Sequence, residues 1–342
     1  MKKFISICLL ILIFSLSACS PADNQTISSD ISDMVTNSDT VKIGLGIVAS
    51  QKATSASSED GSCITNCTVA AICVDDAGKI VKCIVDEIEV KATVSASGKI
   101  TSDLSYQAKT KTELKDSYNM EQASSIGKEW YEQAKSFSTY VTGKTLKEIE
   151  GIAVDKNQYP TGSDLKGSVT ISIGNFKEAI KKAFENATNS GSKKDDMLGL
   201  GIVSTIENSK DASQDIGTVQ ADITVTAVSY GTAGNVTASK IDEIRSAINF
   251  DNSGKITSEP STQLKTKTEL GKDYGMKAAS SIGKEWNEQA MSLEKLLKGK
   301  TITDIGNIAL DDSKKPTSSD IKAEVTIAID KIKQAFKKAG TM

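Results

Sequence analysis

The chain has no histidine among its 342 residues, only four prolines and only 5% aromatics. Without histidine there is no Ser-His or Cys-His nucleophilic pair, no His-ligated zinc and no imidazole base, which removes most hydrolase chemistry. An excess of one charge is missing too: 41 Lys and Arg against 44 Asp and Glu leave −3, with no long basic run. A nucleic-acid binder normally shows a basic patch with aromatic platforms, so that class is excluded. What is present is ordinary globular composition, 38% hydrophobic and 25% charged, with 24 glycines. At roughly 150 residues per domain the length fits two domains, each able to bury a core.

The N-terminus carries a secretion pattern. Lys2 and Lys3 precede an apolar run from Phe4 to Leu16, too short to span a bilayer but right for a signal h-region. Leu16-Ser17-Ala18-Cys19 then matches a bacterial lipobox, so residues 1–18 are expected to be removed and Cys19 lipidated. Loss of Lys2 and Lys3 takes the net charge from −3 to −5. Residues 19–40, rich in Ser, Asp, Asn and Thr, read as the lipidated Cys followed by a flexible tether. The expected location is the extracellular face of the cytoplasmic membrane, lipid-anchored. Outside the cell Cys63, Cys67, Cys73 and Cys83 are expected as two structural disulfides or as plain buried thiols, with Cys73 and Cys83 flanking the turn-forming Asp75-Asp76-Ala77-Gly78. Zinc is disfavoured by their spacing.

Internal repetition is the strongest signal. Gly44-Leu45-Gly46-Ile47-Val48 returns as Gly199-Leu200-Gly201-Ile202-Val203, and Lys109-Thr110-Lys111-Thr112-Glu113-Leu114 as Lys265-Thr266-Lys267-Thr268-Glu269-Leu270. Ser124-Ser125-Ile126-Gly127-Lys128-Glu129-Trp130 returns as Ser280 to Trp286. Solenoid repeats run about 20–50 residues, so this longer period is a domain duplication. The boundary falls in Asn186 to Asp196, whose polar content suits a solvated linker. The division is domain 1 at 41–187, linker at 188–196 and domain 2 at 197–342.

Each copy reads as strands first and helices later, an α+β pattern. Val69 to Val74, Ile80 to Val85 and Ile88 to Val94 are predicted strands. Ala123 to Tyr140 is predicted helical with Ser124-Ser125 as its cap, and Asn175 to Ala187 and Ile329 to Ala339 as the closing helices. Trp130 and Trp286 read as core. Gly143-Lys144-Thr145 and Gly299-Lys300-Thr301 lack the P-loop's first glycine, because Ser138 and Glu294 stand there. Asn249 to Pro260 fails as an EF-hand because Pro260 replaces the bidentate Glu, so Gly98 and Gly254 are read as hairpin-turn residues.

Just before each closing helix, Asp164-Leu165-Lys166-Gly167-Ser168-Val169-Thr170 matches Asp320-Ile321-Lys322-Ala323-Glu324-Val325-Thr326. By spacing alone this is a loop in which Asp serves as a turn or cap residue. These motifs, with the Lys-Thr-x-Glu-Leu loop, the Tyr-x-Met step and the Ser-Ser-Ile-Gly-Lys-Glu-Trp segment, make the chain resemble the FMN-binding, flavinylated two-domain lipoproteins of Gram-positive extracellular electron transfer, the family of the pheromone-encoding lipoprotein. The resemblance covers nearly all of both copies and implies two tandem homologous FMN-binding domains. It implies that a FAD:protein FMN transferase joins FMN through its phosphate to Thr170 and Thr326, with Asp164 and Asp320 as motif acids. It further implies a ring-binding loop from Glu113 to Met120 and from Glu269 to Met276, with Tyr118 and Tyr274 stacking on the flavin and Met120 and Met276 packing its edge. The family motif is altered here. Gly167 sits one place early, and Ala323 and Glu324 leave the second copy with no Gly and an extra negative charge, which favours Thr170 as recipient.

By that resemblance the protein is an electron-transfer protein rather than a classical enzyme, with ferric-reductase-type activity. It would pass electrons from a membrane quinol or NADH-dehydrogenase-type donor to extracellular acceptors such as ferric iron, with the flavin supplying the redox chemistry. The alternative is a cofactor-free ligand-binding or adhesive surface lipoprotein. In either case the signal-peptide tail Ile11 to Ala18 is a candidate pheromone source.

Overall fold

The computed structural model describes residues 39–261 and 263–341. The expected signal segment, Cys19 and the tether as far as residue 38 lie outside the described residues. The first copy runs β1 (Lys42–Thr54), β2 (Gly61–Val74), β3 (Ile80–Val94), α1 (Lys111–Leu114), α2 (Trp130–Val141), α3 (Leu146–Glu150), α4 (Ser163–Lys166) and α5 (Gly174–Glu185). The second repeats it as β4 (Met197–Thr205), β5 (Gly217–Tyr230), β6 (Val236–Phe250), α6 (Lys267–Leu270), α7 (Trp286–Leu297), α8 (Ile302–Gly306), α9 (Ser319–Lys322) and α10 (Asp330–Ala339). The class is mixed α+β. Each copy contributes one antiparallel three-stranded sheet with its second strand in the middle.

Burial explains how the layers stack. Along β2 exposure alternates from Gly61 to Asn66, then every residue from Cys67 to Val74 is buried, so that end is covered on both faces. On one face lies the other sheet: Ile43, Leu45, Ile47 and Ile88 share a core with Ile202, Ile223, Ile244 and Phe250. On the opposite face lie the helices. Trp130 and Phe137 close on Phe176 with ring centroids 5.8 and 5.3 Å apart, and Trp286, Leu293 and Phe336 fill the matching volume in the second copy. The order is helices, sheet, sheet, helices.

The repeated Gly-Leu-Gly motif serves this packing. A β-carbon on Gly46 would lie 1.8 Å from the Ala179 carbonyl oxygen, and one on Gly201 1.8 Å from that of Ala335. Only glycine lets β1 and β4 run against the backbones of α5 and α10.

The copies are interlocked. Leu264 N–H donates to the Ala49 carbonyl at 2.8 Å and Ala212 N–H to that of Gly98 at 2.8 Å, while the buried Thr65 hydroxyl donates to Ser246 Oγ at 2.7 Å. Asn186 to Asp196 is exposed at Asn186, Thr188, Asn189 and Lys193 to Asp195, as a solvated linker would be, yet it is pinned at several points. Thr188 and Ile43 exchange backbone hydrogen bonds of 3.1 and 3.0 Å, Ser192 is fully buried, and Asp196 accepts from Thr237 at 2.6 Å.

Other expectations need correction. The two strands expected at Ile80–Val85 and Ile88–Val94 are one strand, β3, whose polar Asp86 and Glu87 anchor α1 without breaking the ladder. Helix α2 starts at Trp130 and not Ala123, because Gly127 takes φ +59° and the preceding loop turns back; Glu129 and Glu132 form its capping box. All four described cysteines are free thiols. The β2–β3 register sets Cys83 opposite Ile72 and Cys73 opposite Lys82, so the two thiols point to opposite faces of the sheet. Gly98 and Gly254 do sit in turns, at φ +69° and +71°. Among the described residues no helix is long and apolar enough to cross a membrane.

Candidate functional site

In both copies the Lys-Thr-x-Glu-Leu segment is a capping box on a single helical turn. Thr110 Oγ1 accepts from Glu113 N–H at 3.1 Å while Glu113 Oε2 accepts from Thr110 N–H at 2.9 Å; Thr266 and Glu269 repeat this at 3.0 and 2.8 Å. Glu113 and Glu269 thus hold the turn, and each also meets the other copy's last long helix: Lys338 at 2.7 Å from Glu113, Lys182 at 2.6 Å from Glu269. A carboxylate on the third strand receives the turn. Asp86 Oδ1 accepts the N–H groups of Glu87 at 2.8 Å and Thr112 at 3.1 Å, and Asp242 does the same with Glu243 and Thr268. Burial pushes both carboxyls up to about 6, against the pull of those N–H bonds, and Asp86 Oδ2 has no hydrogen-bond partner among the described residues.

So anchored, the turn aims one lysine inward. Lys111 pairs with Glu87 at 2.6 Å and lies 5.0 Å from the Tyr118 ring centroid and 5.1 Å from that of Trp130. Burial opposes its charge most strongly of any single cause, but Glu87 and Tyr118 together outweigh it and raise its pKa. Lys267 is held likewise by Glu243, Tyr274 and Trp286. The tryptophans are core residues, as expected, and also walls of these lysine boxes.

A second repeated device fixes the threonines. The buried Gln133 amide oxygen accepts from Thr170 N–H at 2.7 Å and from its hydroxyl at 3.1 Å. Gln133 Nε2 donates to Ser124 Oγ and the Lys128 carbonyl, so the Ser-Ser-Ile-Gly-Lys loop wraps this amide. Gln289 holds Thr326 at the same 2.7 and 3.1 Å, and its Nε2 bonds Ser280 and Lys284. With its proton directed at the amide, each hydroxyl oxygen keeps lone pairs free for a new bond. Neither glutamine was singled out from the sequence. The signal was there: a polar residue on the apolar helix face between Trp130 and Ala134, repeated in both copies.

The two copies differ in what lies around these devices. In the second copy Thr326, Tyr274, Met276, Trp286, Lys267 and Arg245 line one cavity of about 440 Å³, with Lys315 and Lys331 near its helix end. In the first, Tyr118 lines a cavity of about 480 Å³ with Lys111 and Glu87, but neither Thr170 nor Met120 lines it; Met120 packs on the helix-side core. Asp164 and Asp320 are exposed in the first turns of α4 and α9. Asp164 accepts from the Tyr140 hydroxyl at 2.6 Å, which holds its carboxyl below the ordinary range, and lines another cleft with Lys144. Glu324 is bound by Lys284, whose hydrogen bond and charge lower its pKa, so its negative charge is balanced within the protein.

No protein-family profile matches the chain, and no solved structure matches it significantly. Among curated proteins it is similar to a chlorophenol reductase of Desulfitobacterium hafniense, with 29% identity over 163 residues. That alignment covers 42% of this chain and 50% of the reductase, so the chain spans about half the length of the curated relative it matches.

Proposed function

We propose that the protein is a lipid-anchored extracellular flavoprotein that carries electrons from a membrane quinol-side or NADH-dehydrogenase-type donor to extracellular acceptors such as ferric iron. FMN would be bound as a phosphoester on Thr326 and, as second recipient, on Thr170, a link made by a FAD:protein FMN transferase with release of AMP. The observation that carries this reading is the second-copy cavity, where one oriented hydroxyl, an aromatic ring, a thioether and several cations converge. Its volume of about 440 Å³ is that of a small-molecule site, which typically spans roughly 300–1,000 Å³. Lys315, which makes no ion pair among the described residues, would balance a phosphate at Thr326, with Lys331 shared between it and Glu207 and Asp330, while Tyr274 and Met276 would bound the ring system. When bound, FMN supplies one- and two-electron exchange, and the polypeptide orients it and limits its contact with water. The reductase name of the partial relative describes redox chemistry in that protein and supports the same class here.

The test is peptide mass spectrometry on the full chain coexpressed with the transferase. FMN adducts on the Thr326 peptide, with or without Thr170, are expected. No adduct on either, with the transferase active on a control substrate, would replace this reading with the cofactor-free binding or adhesive lipoprotein. Labelled fatty acid should enter the wild type and not Cys19→Ala, which tests the anchor.

A further inference from the structure

The first-copy cavity has an aromatic wall, and Thr170 is not among the residues that line it. Its floor and rim have also been recharged relative to the second. Ser50 and Asn66 face each other across β1 and β2 where Thr205 and Asp222 do so across β4 and β5. At the same end Lys52 stands where the second copy has Glu207, and Glu89 where it has Arg245. At the helix end the cations near Thr326 are gone: Asn175 takes the place of Lys331, and Tyr159 that of Lys315. The positive charge has moved from the threonine end to the strand end.

Pairing sharpens the contrast. In the second cavity Asp222 is held by Arg245 at 2.7 Å, Glu207 approaches Lys331 at 3.6 Å and Glu243 binds Lys267, so most charges cancel locally. In the first, Lys111 is committed to Glu87, but Lys52 and Lys109 make no ion pair among the described residues and face one unpaired acid, Glu89. Tyr118 lines the wall and Tyr106, 60% exposed, stands at the mouth. Two aromatic rings beside two uncommitted ammonium groups favour a flat ligand with negative charge at one edge.

We infer that this cavity is a reversible binding site for a small planar aromatic anion, such as an arene carboxylate or a phenolate, separate from the attachment hydroxyl of Thr170. Lys52 and Lys109 meet the anionic edge, Ser50 and Asn66 offer it hydrogen bonds, and Tyr118 and Tyr106 flank the ring. Glu89 limits affinity.

The test is isothermal titration of the full chain, produced without the transferase, using 2-naphthoate as the probe and 2-naphthamide as its neutral isostere. The carboxylate is expected to bind about ten-fold tighter than the amide, a difference of roughly 1.4 kcal/mol. Lys52→Glu and Lys109→Glu, both at exposed positions, should each weaken 2-naphthoate several-fold, Glu89→Gln should tighten it, and Arg245→Glu in the other cavity should leave it unchanged. No binding, equal binding of acid and amide, or affinity indifferent to the charge of residues 52, 89 and 109 would overturn the inference. Because no flavin is loaded, these outcomes are independent of whether Thr326 or Thr170 is flavinylated.

Discussion

The two copies share the parts that hold their sites and differ in the residues that face the cavities. Both cap the site turn with Thr and Glu, seat it on a buried Asp, box a lysine between Tyr and Trp, and hold a threonine by a buried Gln. Around this common frame the second copy gathers Thr326 into the cavity with Tyr274, while the first leaves Thr170 outside the one that Tyr118 lines. Scaffold residues are constrained by close packing and by buried polar groups that need partners, whereas cavity-facing residues are free to specialise. A duplicated chain can therefore keep one fold and divide its chemistry.

The largest effect should be one that both copies share equally. Gly46→Ala and Gly201→Ala each drive a methyl into a helix carbonyl, and each should cost about 3 kcal/mol or more in urea unfolding. A cost confined to one copy would break the claim of a common frame. Next, Gln133→Leu and Gln289→Leu strip partners from buried groups, at about 2–3 kcal/mol each. Only Gln289→Leu should also abolish most of the flavin loading, measured by mass spectrometry.

Acid titration sharpens the role of the buried aspartates. Asp86 keeps its proton to about 6 in the native state, while the unfolded chain releases it near 3.8. The native state therefore binds more protons between these values, and stability falls as pH rises through that window. Asp86→Asn should reduce this slope, leaving the share of Asp242, and be more stable at neutral pH by about 2 kcal/mol, read from unfolding midpoints across pH. The smallest effect concerns a strained turn. Lys115 holds φ +48° where the second copy has Gly271 at +51°, so Lys115→Gly should be neutral or stabilise by up to about 1 kcal/mol in the same assay.

Much of the frame was legible in the sequence. The repeat marked the Lys-Thr-x-Glu-Leu segment, although it was read as a loop and is a capped helical turn, and the helix expected from Asn175 begins one residue earlier, at Gly174. Strand β1 carried no strand signal because Gly44 and Gly46 depress strand propensity, although contact with α5 demands them. The helix expected from Ala123 was overextended because Ile126 falls on the helical face, while Gly127 enters the left-handed region. The sheet-on-sheet core was hidden, since apolar strands buried on both faces look alike whatever covers them. At the site, Tyr274, Met276 and Thr326 line one cavity, and of the two grounds for preferring Thr170, the missing Gly and the charge of Glu324, the fold bears only on the second, by pairing Glu324 with Lys284.

The most direct test is to count covalent flavin after coexpression with the transferase, from the absorbance that stays with the denatured chain in wild type, Thr326→Val and Thr170→Val. The division of roles between the copies predicts that Thr326→Val removes all or most of the bound flavin and that Thr170→Val removes the lesser share. Full retention in Thr326→Val, with loss confined to Thr170→Val, would contradict it.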